Sequence, residues 1–155
     1  MKIHSFKQKQ LLHISHDQAW AFFANPQNLT KLTPEWMQLT LLSEAPQMMY
    51  EGMIITQQIK PILGIPLTWV TEITRIKERS YFIDEQRIGP YRFWHHEHRL
   101  RETPTGIEII DTLHYALPFG IFGEIAHQIA VKRKIAEVFA FRYEALEKLF
   151  GEDND

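Results

Sequence analysis

The stretch IFGEIAHQIAVKRKIAEVFAFRYEALEKLF, Ile121 to Phe150, decides how the rest of the chain must be arranged. Ile125, Ile129, Ala136, Phe139, Tyr143, Leu146 and Phe150 recur at helical spacing and fall on one stripe. Lys134, Glu137, Glu144 and Lys148 fall on the opposite side. One long amphipathic helix at the end of a mostly strand-like chain needs a sheet to bury its apolar stripe.

Working back from the helix, Pro118-Phe119-Gly120 releases the chain from a strand at Ile107 to Leu117. Further strands are predicted at Tyr91 to Arg101, Tyr81 to Ile88, Pro66 to Lys77, Gly52 to Lys60 and Trp36 to Ser43. Thr103-Pro104-Thr105-Gly106, Gly89-Pro90, Glu78-Arg79-Ser80 and Pro61-Ile62-Leu63-Gly64 read as turns, and Glu44 to Glu51 as a loop. Connections this short favour an antiparallel meander, because parallel pairs need long crossovers.

At the other end, Ile3 to Ile14 is a strand with several polar positions. Ser15 followed by Gln18 is a capping box, opening a helix that carries Ala19, Trp20, Phe22 and Phe23. Asn25-Pro26 stops that helix, and Asn28 to Leu32 can form one more turn. The predicted fold is α+β: a seven-stranded curved antiparallel sheet wrapped around the C-terminal helix, with two short helices after the first strand. Residues 1–150 form a single domain and 151–155 a flexible C-terminal tail.

The 155 residues suit one domain with a real core, and the net charge of −2 offers no basic patch for nucleic acid. With no cysteine, disulfides, thiolate catalysis and cysteine-based zinc sites are excluded. Neither a signal peptide nor an apolar run of membrane-spanning length is read, so the expected location is cytoplasmic. Oligomeric state is not readable.

The chemistry concentrates in Tyr91-Arg92-Phe93-Trp94-His95-His96-Glu97-His98-Arg99-Leu100. Alternation puts Trp94, His96, His98 and Leu100 on one face and the charged residues on the other, so two histidines face the helix. On the next strand Ile107, Ile109, Asp111, Leu113, Tyr115 and Leu117 share the inner face, with Asp111 the odd member. A lone buried carboxylate is very costly, so Asp111 is expected to hydrogen-bond His96 or His98. Three readings stay open: a structural polar network, the polar end of an apolar ligand pocket, or an acid/base pair. Lys132, within the helix's stripe, either snorkels to solvent or meets an anionic head group at a cavity mouth. Trp69, Phe82, Trp94, Tyr115, Phe139 and Tyr143 are core or ligand wall. His96-x-His98 with Glu102 and Pro118-x-Gly120 loosely resembles the metal motifs of the cupin barrels, a further alternative. The primary expectation is no metal and no cofactor.

The chain resembles the START-like, Bet v 1-type (SRPBCC) helix-grip superfamily, and within it the bacterial polyketide cyclase/dehydrase or lipid-transport-like group. The resemblance runs through Asp84-Glu85-Gln86, Gly89-Pro90-Tyr91-x-x-Trp94-x-His96-x-His98 and Asp111-x-x-x-Tyr115-x-Leu117-Pro118-x-Gly120. It implies a hydrophobic cavity between sheet and terminal helix, and hydrophobic small molecules such as lipids or polyketides as ligands. The expected ligand-binding set is Trp69, Phe82, Trp94, His96, His98, Asp111, Tyr115, Lys132, Phe139 and Tyr143. The alternative function is a small cyclase or dehydratase using His96 or His98 with Asp111.

Overall fold

A computed structural model describes residues 1–44, 46–60 and 64–151. Strand β1 (His4–Leu12) leads into helix α1 (His16–Phe23), then 3-10 segments at Pro26–Leu32 and Glu35–Met37. Six strands follow: β2 (Thr40–Leu41), β3 (Ile54–Ile59), β4 (Leu67–Lys77), β5 (Tyr81–Ile88), β6 (Phe93–Thr103) and β7 (Gly106–Ala116). The chain then runs through α2 (Gly120–Ala126), a π-helical turn (His127–Val131) and α3 (Lys132–Phe150). The turn expected at 61–64 and the tail expected at 151–155 lie partly outside the described residues.

The sheet order is β1-β7-β6-β5-β4-β3-β2, antiparallel throughout. The α1 and 3-10 segments carry the chain from one sheet edge to the other, and the meander brings it back beside β1. Register shifts between β4 and β5, at Val70/Thr71 and near Ile73/Arg75, bend the sheet. Ser15 caps α1 through the capping box, accepting from the Gln18 backbone while its own N–H donates to the Gln18 side chain. The inward glutamines of β1 dock α3 directly: Gln8 Nε2 donates to the Phe139 carbonyl at 3.0 Å and Gln10 Nε2 to that of Tyr143 at 2.9 Å. This explains why β1 is inward-polar yet part of the core sheet.

Two expectations are corrected. The strand from Trp36 to Ser43 shrinks to Thr40–Leu41, because Glu35–Met37 winds into a 3-10 turn ended by Gln38 in the left-handed region (φ 45). The helix is also not one continuous stripe. A π turn holds an extra residue, so the helical phase shifts across 127–131. Gly123 and His127 face inward before the shift, and Ile135, Phe139, Arg142 and Leu146 after it. Ile125, Ile129 and Tyr143 are left exposed.

Buried apolar side chains form two clusters. Trp20, Phe23, Ile73, Phe82, Leu100 and Leu146 belong to one, and Leu113, Tyr115, Ile135 and Phe139 to the other. His98 stacks on Phe82 of the first (ring centroids 4.3 Å) and His96 meets Phe139 of the second edge-on (5.4 Å). A polar group of residues thus lies where the two apolar clusters meet.

Candidate functional site

Three neighbouring strands set the polar group in register. Asp84 of β5 lies opposite His96 of β6, and His98 lies opposite Asp111 of β7. His98 is therefore flanked by two carboxylates. Its Nε2 is 2.6 Å from Asp84 Oδ2 and its Nδ1 is 3.2 Å from Asp111 Oδ1. An ionised carboxylate only accepts hydrogen bonds, so His98 Nε2 donates to Asp84, and the second carboxylate beside Nδ1 favours a positively charged ring. His96 Nε2 donates to Asp111 Oδ1 at 2.8 Å, and Arg142 Nη1 of α3 reaches the same oxygen at 3.1 Å. The hydrogen bond expected between Asp111 and a histidine is present.

The charges balance: Asp84 and Asp111 against His98 and Arg142, with His96 neutral. Burial pulls the His96 ring down to about 4, reinforced by the neighbouring His98 charge and only partly opposed by Asp111. Burial also works against charge on His98, but its hydrogen bonds to Asp111 and Asp84 outweigh it and raise the ring above its ordinary value. Burial works to raise both carboxyls as well. His98, His96 and Arg142 hold Asp84 below the carboxylate range, and Arg142 with the two histidines holds Asp111 well below it. Tilted rings with centroids only 3.7 Å apart cannot readily both be charged, so the proton sits on His98.

This group closes the inner end of a cavity of about 1070 Å³ between sheet, α1, the 3-10 segments and the terminal helix. The wall is mostly apolar and aromatic. Trp69 and Trp94 pack edge to face (5.0 Å), with Tyr91 against Trp94 (4.8 Å). Gln86 fixes that corner, donating to the Tyr91 carbonyl (2.7 Å) and accepting from its N–H (3.1 Å) across the Gly89-Pro90 turn. Among the described residues, two that line the cavity carry a buried polar atom with no partner, Gln57 Oε1 and Arg142 Nε.

Of the residues expected at the site, Trp69, Phe82, Trp94, His96, His98 and Phe139 line this cavity. Asp111 stands behind the histidines, outside the lining. Tyr115 is buried behind the wall, its hydroxyl 2.9 Å from His127 Nε2. Lys132 and Tyr143 are exposed and outside the wall. The cation at the rim is Lys134, whose Nζ lies 4.3 Å from the Trp36 ring centre. Glu102 is exposed at the far end of β6, 3.9 Å from His16, so the cupin-type set is not assembled. The carboxylate beside the histidines is Asp84, and the three residues Asp84, His96 and His98 bring ligand-capable atoms within 4.8 Å of one another.

Sequence reasoning missed Asp84 and Arg142 as site residues. Asp84 had a readable signal, since Phe82, Asp84 and Gln86 share the inner face of β5. Arg142 did not: Arg142 and Tyr143 both continue the spacing from Phe139, and hydrophobicity selects the tyrosine.

Residues 12–140 match the family model for polyketide cyclase / dehydrase and lipid transport. No curated protein matches the chain. Solved structures with the same fold include a Thermus thermophilus protein at 14% identity and TM-score 0.70, covering 94% of this chain and 95% of that one. The Zhui aromatase/cyclase from Streptomyces is 12% identical with TM-score 0.69, covering 99% of this chain and 100% of that one. Ginseng major latex-like protein from Panax ginseng is 11% identical with TM-score 0.68, covering 96% and 97%.

Proposed function

The chain belongs to the polyketide cyclase / dehydrase and lipid transport family, and from that premise we propose that it binds one hydrophobic or amphipathic small molecule between sheet and terminal helix. The observation that supports this most is the cavity of about 1070 Å³, aromatic along its wall and polar at one end. Burial of apolar ligand area contributes ~25 cal/mol per Å² before the costs of association. The unpartnered Arg142 Nε and Gln57 Oε1 supply a donor and an acceptor for the ligand's polar atoms. A ligand oxygen accepting from Arg142, or a ligand hydroxyl donating to His96 Nδ1, orients the molecule; the apolar body lies along Trp69, Trp94 and Phe139. No described helix is long and apolar enough to cross a membrane.

The test is a titration with cis-parinaric acid, an anionic apolar fluorophore. Saturable binding is expected, weakened by Trp94→Ala and unchanged by Arg99→Ala on the outer face. Absence of saturation, or equal small effects of both substitutions, overturns the reading.

A second reading is catalytic, with His96 as base in a cyclisation or dehydration. It draws on one observation: Asp111 holds the His96 Nε2–H, leaving Nδ1 as a lone pair in a cavity-lining ring. It ranks second because a ring held down to about 4 is a weak base, and efficient bases sit near the working pH. Turnover of any polyketide-type substrate that survives His96→Gln rejects it.

A further inference from the structure

We propose that Asp84, His96 and His98 form a binding site for one divalent transition-metal ion at the inner end of the cavity. The donor atoms are Asp84 Oδ2, His96 Nδ1 and His98 Nε2, and the set converges within 4.8 Å. His96 Nδ1 and Asp84 Oδ2 are 3.6 Å apart, and His98 Nε2 and the same oxygen 2.6 Å. Ligands bound at about 2.0–2.2 Å to one ion are separated by distances in this region, so small side-chain shifts complete the set.

What distinguishes these side chains from a chance cluster is the shell behind them. Asp111 Oδ1 lies 2.8 Å from His96 Nε2 and 3.2 Å from His98 Nδ1, so one carboxylate faces the far nitrogen of both rings. That fixes both ring orientations and turns the other two nitrogens toward Asp84. Metal-bound histidines characteristically donate their second N–H to such a carboxylate. Trp94 Nε1 donates to Asp84 Oδ1 at 3.3 Å, leaving Oδ2 for the histidines. Arg142 opposes a second cation, but its Nη1 is engaged by Asp111 at 3.1 Å. The ion would enter in place of the hydrogen bond between His98 and Asp84, releasing a proton.

Two imidazoles and one carboxylate suit iron(II), manganese, cobalt or zinc rather than calcium or magnesium. All three ligands line the cavity whereas Asp111 does not, so the remaining coordination positions open toward whatever fills it. An ion there would polarise a ligand carbonyl or activate a bound water. The proposal departs from the sequence-based expectation of no metal, and it differs from the cupin-like set in its carboxylate. It does not depend on the hydrophobic-ligand reading: parinaric acid binding can fail while the metal binds, and the reverse.

The experiment is a Co²⁺ titration of EDTA-treated protein, followed by the visible absorption of protein-bound cobalt and by calorimetry with Zn²⁺. One equivalent is expected to bind. His98→Gln and Asp84→Asn are expected to abolish the band, and Asp111→Asn to weaken affinity by about 10–100-fold with unchanged stoichiometry. His95→Gln is the control, since His95 lies on the outer face 2.7 Å from Glu85. No cobalt band, or a band that survives His98→Gln and falls with His95→Gln, overturns the proposal. Should a variant fail to fold, Mn²⁺ added to the wild-type protein decides: broadening confined to the His96 and His98 ring resonances supports the site, and broadening elsewhere or none rejects it.

Discussion

Arg142 places a permanent charge in the interior at 8% exposure, and Asp111 at 3% exposure is its partner. Taking two such charges out of water is worthwhile only with close, multiple hydrogen bonds, and Asp111 accepts them from His96 and Arg142, with His98 Nδ1 a further ion-pair contact at 3.2 Å. Breaking the pair from one side strands the other charge. Arg142→Met is therefore expected to destabilise the fold by about 3–5 kcal/mol in urea denaturation. Arg142→Lys should recover part of this, because it keeps the charge and loses the planar fork. Joining Arg142→Met with Asp111→Leu is expected to cost less than the two single changes added together. Strict additivity would mean that the residues are not coupled. Half of this pair was legible in the sequence. Asp111 stood out as a carboxylate on an apolar strand face, where alternation of period two leaves no doubt about direction. Arg142 did not stand out, because a helical period of about 3.6 lets either of two adjacent residues continue a stripe.

At the scale of the element, the π turn between α2 and α3 separates what the sequence could show from what it could not. Strands β3 to β7 were readable because alternation and short turns are local signals. The helix was readable as a helix, yet the side it presents depends on one inserted residue that no periodicity within 121–150 announces. Gly123 tests the packing of α2. Helix propensity alone favours Gly→Ala by about 1 kcal/mol. Here a Cβ would run into the Pro118 carbonyl oxygen, a backbone atom that cannot swing aside. Gly123→Ala is expected to destabilise by about 1–3 kcal/mol, the cost of overpacking, and a raised melting temperature would refute the contact. His127, first residue of the π turn, is 5% exposed and stacks on His4 at 3.6 Å, with the Tyr115 hydroxyl at its Nε2 and Glu124 bonded to His4. Burial first, and then the His4 charge, hold its ring below the ordinary value. A depressed histidine is neutral in the fold and protonated sooner in the unfolded chain. Its contribution to stability is complete above the unfolded value of ~6.5 and declines as the pH falls toward the folded value. Between about pH 7 and pH 5, His127→Gln should lose less stability than wild type in parallel urea melts. Equal losses would show that His127 titrates normally.

Across the whole molecule, the order of strands and the grip on the terminal helix followed from the pattern of turns, and the cavity did not. Trp69, Trp94 and Phe139 have the same sequence signature whether they fill a core or wall a pocket, because burial selects both alike. What shows the difference is the rim. Phe119 is 82% exposed and Phe122 75% exposed, yet both line the cavity, and Ile121, Ile125 and Ile129 extend the apolar surface outward from them. An exposed apolar tract continuous with an apolar interior gives an amphipathic molecule a route that never returns it fully to water. Side chains on such a route would stabilise the molecule in transit more than in the proposed position beside His96 and Arg142. Replacing Phe119 and Phe122 together by Ser is therefore expected to slow both uptake and release of parinaric acid. About five-fold is reasonable, corresponding to partial loss of contact with two rings, each worth roughly 1.5–3 kcal/mol when fully buried. The equilibrium affinity should change much less. Stopped-flow fluorescence separates these quantities: matched changes in both rates place the two rings on the path, whereas a change confined to release would place them in the bound-state contact and close the route.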